Sequence, residues 1–361
     1  MNLKNRADEA LKAITDTSEK LDNLHEKPAP IVKFIRASGI TPKPISWLWS
    51  PFLPQGKLVM FAGPSGAGKT TLAIRIAATI TSGSMWPDGT NAHKGRALIW
   101  SGEDDLDDTL VPRLLACGAD LGMVDFVKST DTGDGLRDFT PSTDMGCVEE
   151  AIKNEPPALF MIDPIVSAIR GDSHKNAEVR QSLEPLRNLA ERHGTTVLGI
   201  SHFSKGTKGA DPVERVTGSL AFAAAPRVVL AAAKLPEDDE RGSRLFCIAK
   251  SNLGLDVGGF AYDIEPTYVG DGIQTTHAVW GQTLEGTARD LLAQAETTDS
   301  SEMKTVLDDA VDFLRSELEG GRQRPPDVIK NAKAEGISER TLQRAKSALR
   351  VETDRRGFGG Q

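Results

Sequence analysis

The segment Gly63-Pro64-Ser65-Gly66-Ala67-Gly68-Lys69-Thr70 constrains this chain more than any other. It satisfies G-x-x-x-x-G-K-[ST], follows the apolar run Leu58–Ala62, and opens a stretch of helical periodicity over Thr71–Ile80. Strand, glycine-rich turn and helix in that order aim backbone N–H groups inward at the positive end of a helix, which makes a cradle for phosphates. Lys69 is placed to neutralise charge on the phosphates, and the Thr70 hydroxyl to ligate Mg²⁺. The expected cofactors are ATP and Mg²⁺, held along Gly63 to Thr71.

Such a loop needs a carboxylate for the magnesium ion at the end of a nearby strand. Ala158-Leu159-Phe160-Met161-Ile162-Asp163 supplies one, a buried apolar run ending in Asp163. Hydrolysis also needs a base to orient the attacking water. Pro164 follows Asp163, so the adjacent position is unsuitable. Ala97-Leu98-Ile99-Trp100-Ser101-Gly102-Glu103 offers Glu103 instead, at the end of the strand after the phosphate-loop helix. Asp104 and Asp105 follow it and suit the cap of a helix beginning near Leu106.

The surrounding pattern is α/β. Apolar runs at Leu58–Ala62, Ala97–Trp100, Val124–Val127, Leu159–Ile162 and Thr196–Ile200 are separated by helix-length segments such as Thr70–Ile80 and Ala177–Glu191. Continuous apolar strands alternating with helices imply a parallel sheet covered on both faces. Val228–Ala232 and Leu245–Ile248 come with little helix between them, which implies an antiparallel extension. Trp47, Trp49 and Phe52, set among prolines from Pro42 to Pro54, read as an apolar lid on the sheet edge.

Four segments follow from these shifts: a helical arm over 1–41, the core over 42–284, a polar linker over 285–302 and a small helical unit over 303–361. In the last, Met303–Leu318 has helical period, Pro325-Pro326 opens a second helix that Gly336 closes, and Ser338 caps a third over Glu339–Leu349. Hydrophobic content of 39% and charged content of 26% are ordinary for a soluble protein. Cys117, Cys147 and Cys247 lie far apart with no His at metal spacing, which disfavours zinc and disulfides and suits a reducing cytoplasm. The N-terminal residues are too polar for a signal peptide, and no apolar run approaches a membrane span. A net charge of −8 leaves nucleic-acid binding to local basic loops.

Trp100-Ser101-Gly102-Glu103, Ser201-His202-Phe203-Ser204-Lys205, Gly218-Ser219-Leu220-Ala221-Phe222 with Arg227, and Lys250-Ser251-Asn252 join the phosphate loop in one larger resemblance. Over about Pro42 to Asp263 the chain resembles the RecA/DnaB superfamily, and within it RepA-type plasmid and phage replication helicases, AAA-like ATPases with a RecA fold. The resemblance implies a RecA-like core in which His202 senses the γ-phosphate. It also implies a homo-oligomeric, hexameric ring with ATP between subunits, where a basic residue of the neighbour completes the site. Arg227 and Lys250 match that position best and Arg215 less well, because Thr217 stands where the family has an arginine before the Gly-Ser pair.

In such a ring the loops after Asp163 and after His202 face the channel. Lys205 and Lys208, set among glycines and hydroxyls, suit sequence-indifferent contacts to a single-stranded DNA backbone. The C-terminal unit resembles a helix-turn-helix, with Arg340 and Arg344 on its last helix suited to DNA. The expected function is an ATP-driven DNA motor, a replicative helicase of a phage, plasmid or mobile element, with a primase or replication-initiation protein as a further partner. The alternative is an ATP-switched loader, initiator or regulator that binds DNA without unwinding it. A small-molecule kinase is disfavoured, because no acceptor pocket is evident.

Overall fold

The computed structural model describes residues 32–203, 213–216, 219–236, 239–295, 323–334 and 337–349, together with 12, 351 and seven positions between 310 and 318. By contacts the chain divides into residues 1–44 and 45–361. Within the first unit, Ala37–Gly39 forms a short 3-10 turn between extended Arg36 and Ile40, and Val32, Phe34 and Ile35 are exposed. The rest of the expected N-terminal arm lies outside the described residues, Lys12 excepted.

The second unit opens with a two-stranded ribbon, β1 (Trp47–Trp49) and β2 (Leu53–Pro54). Then come β3 (Leu58–Ala62), α1 (Lys69–Ser82), β4 (Ala97–Ser101), α2 (Val111–Ala116) and β5 (Val124–Phe126). A small hairpin, β6 (Ser129–Asp131) and β7 (Leu136–Asp138), leads to α3 (Pro141–Ile152). Next are β8 (Leu159–Asp163), α4 (Asn176–His193), β9 (Thr196–Ile200) and a single turn, α5 (Ala221–Ala224). Four long strands close the core: β10 (Val228–Lys234), β11 (Arg244–Ser251), β12 (Val257–Val269) and β13 (Ile273–Thr287).

Nine strands form one sheet in the order β13-β12-β11-β10-β3-β9-β8-β4-β5. From β10 to β5 every pair is parallel, and from β10 to β13 every pair is antiparallel. This is the mixed α/β, RecA-like arrangement expected, a parallel core with an antiparallel edge. The pleat explains the two cores. Val59 and Phe61 of β3 pack on the α1 side with Leu72, Ile74 and Ile76, while Leu58 and Met60 pack on the α4 side with Leu183 and Leu186. Strands apolar at every position are thereby buried on both faces, and each such side chain contributes about 1.5–3 kcal/mol.

The lid expected at the sheet edge is an aromatic cluster. Trp49 stacks on Trp86 at 4.5 Å between centroids and meets Phe52, Phe246, Phe260 and Trp280 within 6 Å. β13 packs against α1 and α2, so the β12–β13 hairpin bends over the α1 face. The expected linker does not begin at Glu285. β13 runs to Thr287, residues 288–295 are helical, and Leu291 and Leu292 are buried beside Leu245 and Leu284. Small residues at 288, 293 and 295 hid that apolar face from a reading by composition.

In the C-terminal region, α6 (Pro325–Ala334) and α7 (Glu339–Ala348) share a small core of Leu314, Val328, Ala332 and Leu342. Ser338 caps α7 by accepting from Thr341 N, as its position suggested. No helix among the described residues is long and apolar enough to cross a membrane.

Candidate nucleotide site

The site sits at the carboxyl ends of β3, β4, β8 and β9, where a sheet of this kind opens its crevice. Two glycines show why the loop has the sequence it has. A Cβ on Gly63 would stand 2.3 Å from Ala232 O of β10, so the strand end and its neighbour can pack only without one. Gly68 has φ +83°, and a Cβ there would meet Ile264 Cδ1 at 2.1 Å. The turn demands the left-handed region and the β12 side chain occupies the space.

Lys69, 5% exposed, donates to Gly63 O (3.1 Å), Pro64 O (2.9 Å) and His202 Nδ1 (3.2 Å). His202 follows β9, held there by Ser201 N donating to Phe61 O and Phe203 N donating to Gly63 O. Burial, followed by the Lys69 charge, lowers the His202 pKa, and a neutral ring with Nδ1 as acceptor matches the contact. Burial also brings Lys69 down to about 8, against the opposing pull of Asp163 and Glu103.

Thr70 Oγ1 donates to Asp163 Oδ2 at 2.5 Å, joining the first turn of α1 to the end of β8. Asp163 is 3% exposed, and burial pushes its carboxyl up to about 6, with the Glu103 charge adding to the rise. A buried carboxylate destabilised by desolvation and touching a hydroxyl is a donor set suited to a hard divalent cation. The residues therefore fit Mg²⁺, with Thr70 and Asp163 as its protein ligands. Bound there with a nucleotide, the ion would neutralise phosphate charge.

β4 ends opposite β8, with Ser101 paired to Asp163 and Gly102 N donating to Asp163 O at 2.8 Å. Two residues on, Glu103 is exposed at the mouth, and its charge acts on Lys69, Asp163 and His202 together. Its neighbours have other duties. Asp105 occupies the cap position before Leu106 without a side-chain cap bond, while Asp104 accepts from Arg113 Nη1 at 2.8 Å. Ser101 Oγ accepts from Asp104 N, tightening the turn that presents Glu103.

The expected finger residues lie elsewhere. β10 runs parallel to β3, and Arg227 N donates to Leu58 O at the start of that strand. Lys250 pairs with Val229 and donates to Ala223 O at 2.8 Å; burial, then Arg227, lowers its pKa. Arg227 and Lys250 thus sit together at the sheet end opposite their own phosphate loop. Arg215 is turned inward, 8% exposed, with its guanidinium 4.5 Å over the Phe203 ring. Lys205, Lys208, Thr217 and Gly218 lie outside the described residues. Arg340 and Arg344 are exposed on α7, on the face away from Leu342 and Ala345.

Sequence reasoning missed Tyr262. Its Oη, fully buried, donates to Ala67 O at 2.6 Å and ties β12 to the phosphate loop across 195 positions. A lone tyrosine on a strand carries no local signal of that role. It also missed Arg113, nine positions from the Asp104 it bonds and outside any helical i,i+3 or i,i+4 spacing.

A family model described as an AAA domain matches residues 22–208, just over half of the chain, from before β1 to beyond His202. No curated protein matches the chain. With its phosphate loop, its Thr70–Asp163 pair and the parallel strands β3, β4, β5, β8 and β9 within that match, the chain belongs to the AAA domain family and is a P-loop ATPase.

Proposed function

We propose that this ATPase assembles as a hexameric ring and works as a replicative DNA helicase of a phage, plasmid or mobile element, moving on single-stranded DNA. The position of Arg227 and Lys250 carries this reading. Leu58 to Ala62 spans about 13 Å at the usual rise per residue, which separates both cations from the phosphates their own loop would bind. Two cations held side by side, one half-buried, serve no purpose for the local nucleotide. In a closed ring the same end of the sheet can face a neighbour's site, where a trans cation stabilises charge on the transferred phosphoryl group. Glu103 orients the water, and His202, bonded to Lys69, links the phosphates to the loop that follows it.

The test is the steady-state ATPase rate with and without single-stranded DNA, with the mass in solution recorded alongside. Strong stimulation at a ring-sized mass supports the motor. A flat rate with tight ATP-dependent DNA binding would replace it with an ATP-switched loader, and a monomer at full activity would remove the ring.

A further inference from the structure

One row of directly opposed residues crosses the antiparallel part of the sheet beside the phosphate loop. Lys234 on β10 faces Arg244 on β11, Arg244 faces Tyr262 on β12, and Tyr262 faces Trp280 on β13. Opposed residues of an antiparallel pair project from the same side of the sheet. Tyr262 Oη bonds Ala67 O, so that side is the one on which the phosphate loop lies.

Both cations of the row stand beside that loop. A Cβ on Gly68 would lie 3.6 Å from Arg244 Nε, and one on Gly66 would lie 3.8 Å from Lys234 Cε. Arg244 spends one donor on a neutral partner, Nη1 to Ser243 Oγ at 2.7 Å, and its Nε is buried without a hydrogen-bond partner. A buried donor without an acceptor is costly, and a polyanion beside the loop relieves that cost. Among the described residues, Asp239 of the β10–β11 turn is held by Arg241, and Asp263 of β12 accepts from Ser243 N.

We infer that Arg244 is a second cationic ligand for the nucleotide's phosphates, supplied by the same subunit as Lys69 and approaching from the β10–β11 side, with Lys234 adding to the field. This rests on the reading of the loop as an ATP site. It places one phosphate ligand beyond the residues matched by the family model, on the strand pair that distinguishes this sheet from a purely parallel one.

The experiment measures binding of ATP and of inorganic tripolyphosphate to the full chain, both by competition against a fluorescent ADP analogue. Lys69→Ala, Lys234→Ala, Arg244→Ala and Arg244→Lys are compared, with the thermal midpoint of each recorded without nucleotide. Loss of a charge-assisted contact in Arg244→Ala is expected to weaken both ligands by at least about tenfold. Arg244→Lys should recover part of the loss, and Lys234→Ala should show a smaller one. Unchanged affinities in Arg244→Ala alongside lost binding in Lys69→Ala would overturn the inference and leave the ATP site standing. Weaker ATP with unchanged tripolyphosphate would overturn it too, by moving Arg244 to the base or ribose. Unchanged ATP binding in Lys69→Ala would instead remove the reading on which it rests. If Arg244→Ala does not fold, Arg244→Gln, which keeps the stem and a donor for Ser243, carries the same expectations.

Discussion

Removing one oxygen from Tyr262 tests whether the antiparallel hairpin holds the phosphate loop in shape. The Tyr262 hydroxyl and the Ala67 it bonds are both fully buried, with 2.6 Å between oxygens. Tyr262→Phe keeps the ring and its edge contact with Trp280, so no large cavity opens and the cavity term is small. What is lost is one hydrogen bond, and the Ala67 carbonyl is left without that donor. A buried group stranded in this way costs about 1–3 kcal/mol. Two readouts follow. The stability drawn from denaturant unfolding should drop within that range. ATP affinity should drop as well, by no more than about 5- to 150-fold, the equivalent of the same energy appearing wholly as coupling. A stability loss without an affinity loss would show that the tether supports the fold and not the site. A variant identical to the parent in both would refute the reasoning, because the carbonyl would then have found another donor at no cost.

Three further outcomes are expected. Glu103→Gln should bind ATP as the parent does and hydrolyse it at least about 100-fold more slowly; normal turnover would remove Glu103 as base. Arg227→Ala and Lys250→Ala should each be inactive alone and partly rescued in mixed assemblies with a Glu103→Gln chain, and absence of rescue would place both residues in service of their own subunit. Asp144, buried, accepts from both terminal nitrogens of Arg137, from Thr140 N and from the Thr143 and Thr130 hydroxyls, and the Arg137 bonds foremost hold its carboxyl well below the usual range. A depressed folded-state pKa stabilises above the ordinary value of 3.8, and that contribution disappears as pH falls through the folded value. Asp144→Asn should therefore be less stable than the parent by about 1.5–3 kcal/mol at neutral pH, with the gap narrowing in urea titrations below about pH 4; a constant gap would contradict the assignment.

The positions of the phosphate loop, Asp163 and Glu103 at neighbouring strand ends were legible because each is written in contiguous residues. An apolar strand, a glycine turn and a helix, or a strand and its terminal carboxylate, need no distant partner to be recognised. The same holds for the parallel core, whose strands are apolar at every position because both faces are covered. His202 was placed by resemblance, and the structure adds the contact with Lys69 that a strand end alone does not specify.

The long hairpin was not legible. β13 is exposed or half-buried at most positions and β12 contains Pro266, so neither gives the apolar run or clean alternation that marks a strand. Those strands exist because they pair with each other and with β11, and that pairing is a property of the fold. The same pairing carries Tyr262 to Ala67, sets Arg244 beside Gly68 and fills the space that makes Gly68 a glycine. By itself, then, the sequence determined that the chain binds phosphates on a covered parallel sheet, since backbone turns and strand burial depend on near neighbours. Only the tertiary structure decided what stands against the phosphate loop and which cations face away from it, since those contacts join residues up to 195 positions apart and depend on strand order and register.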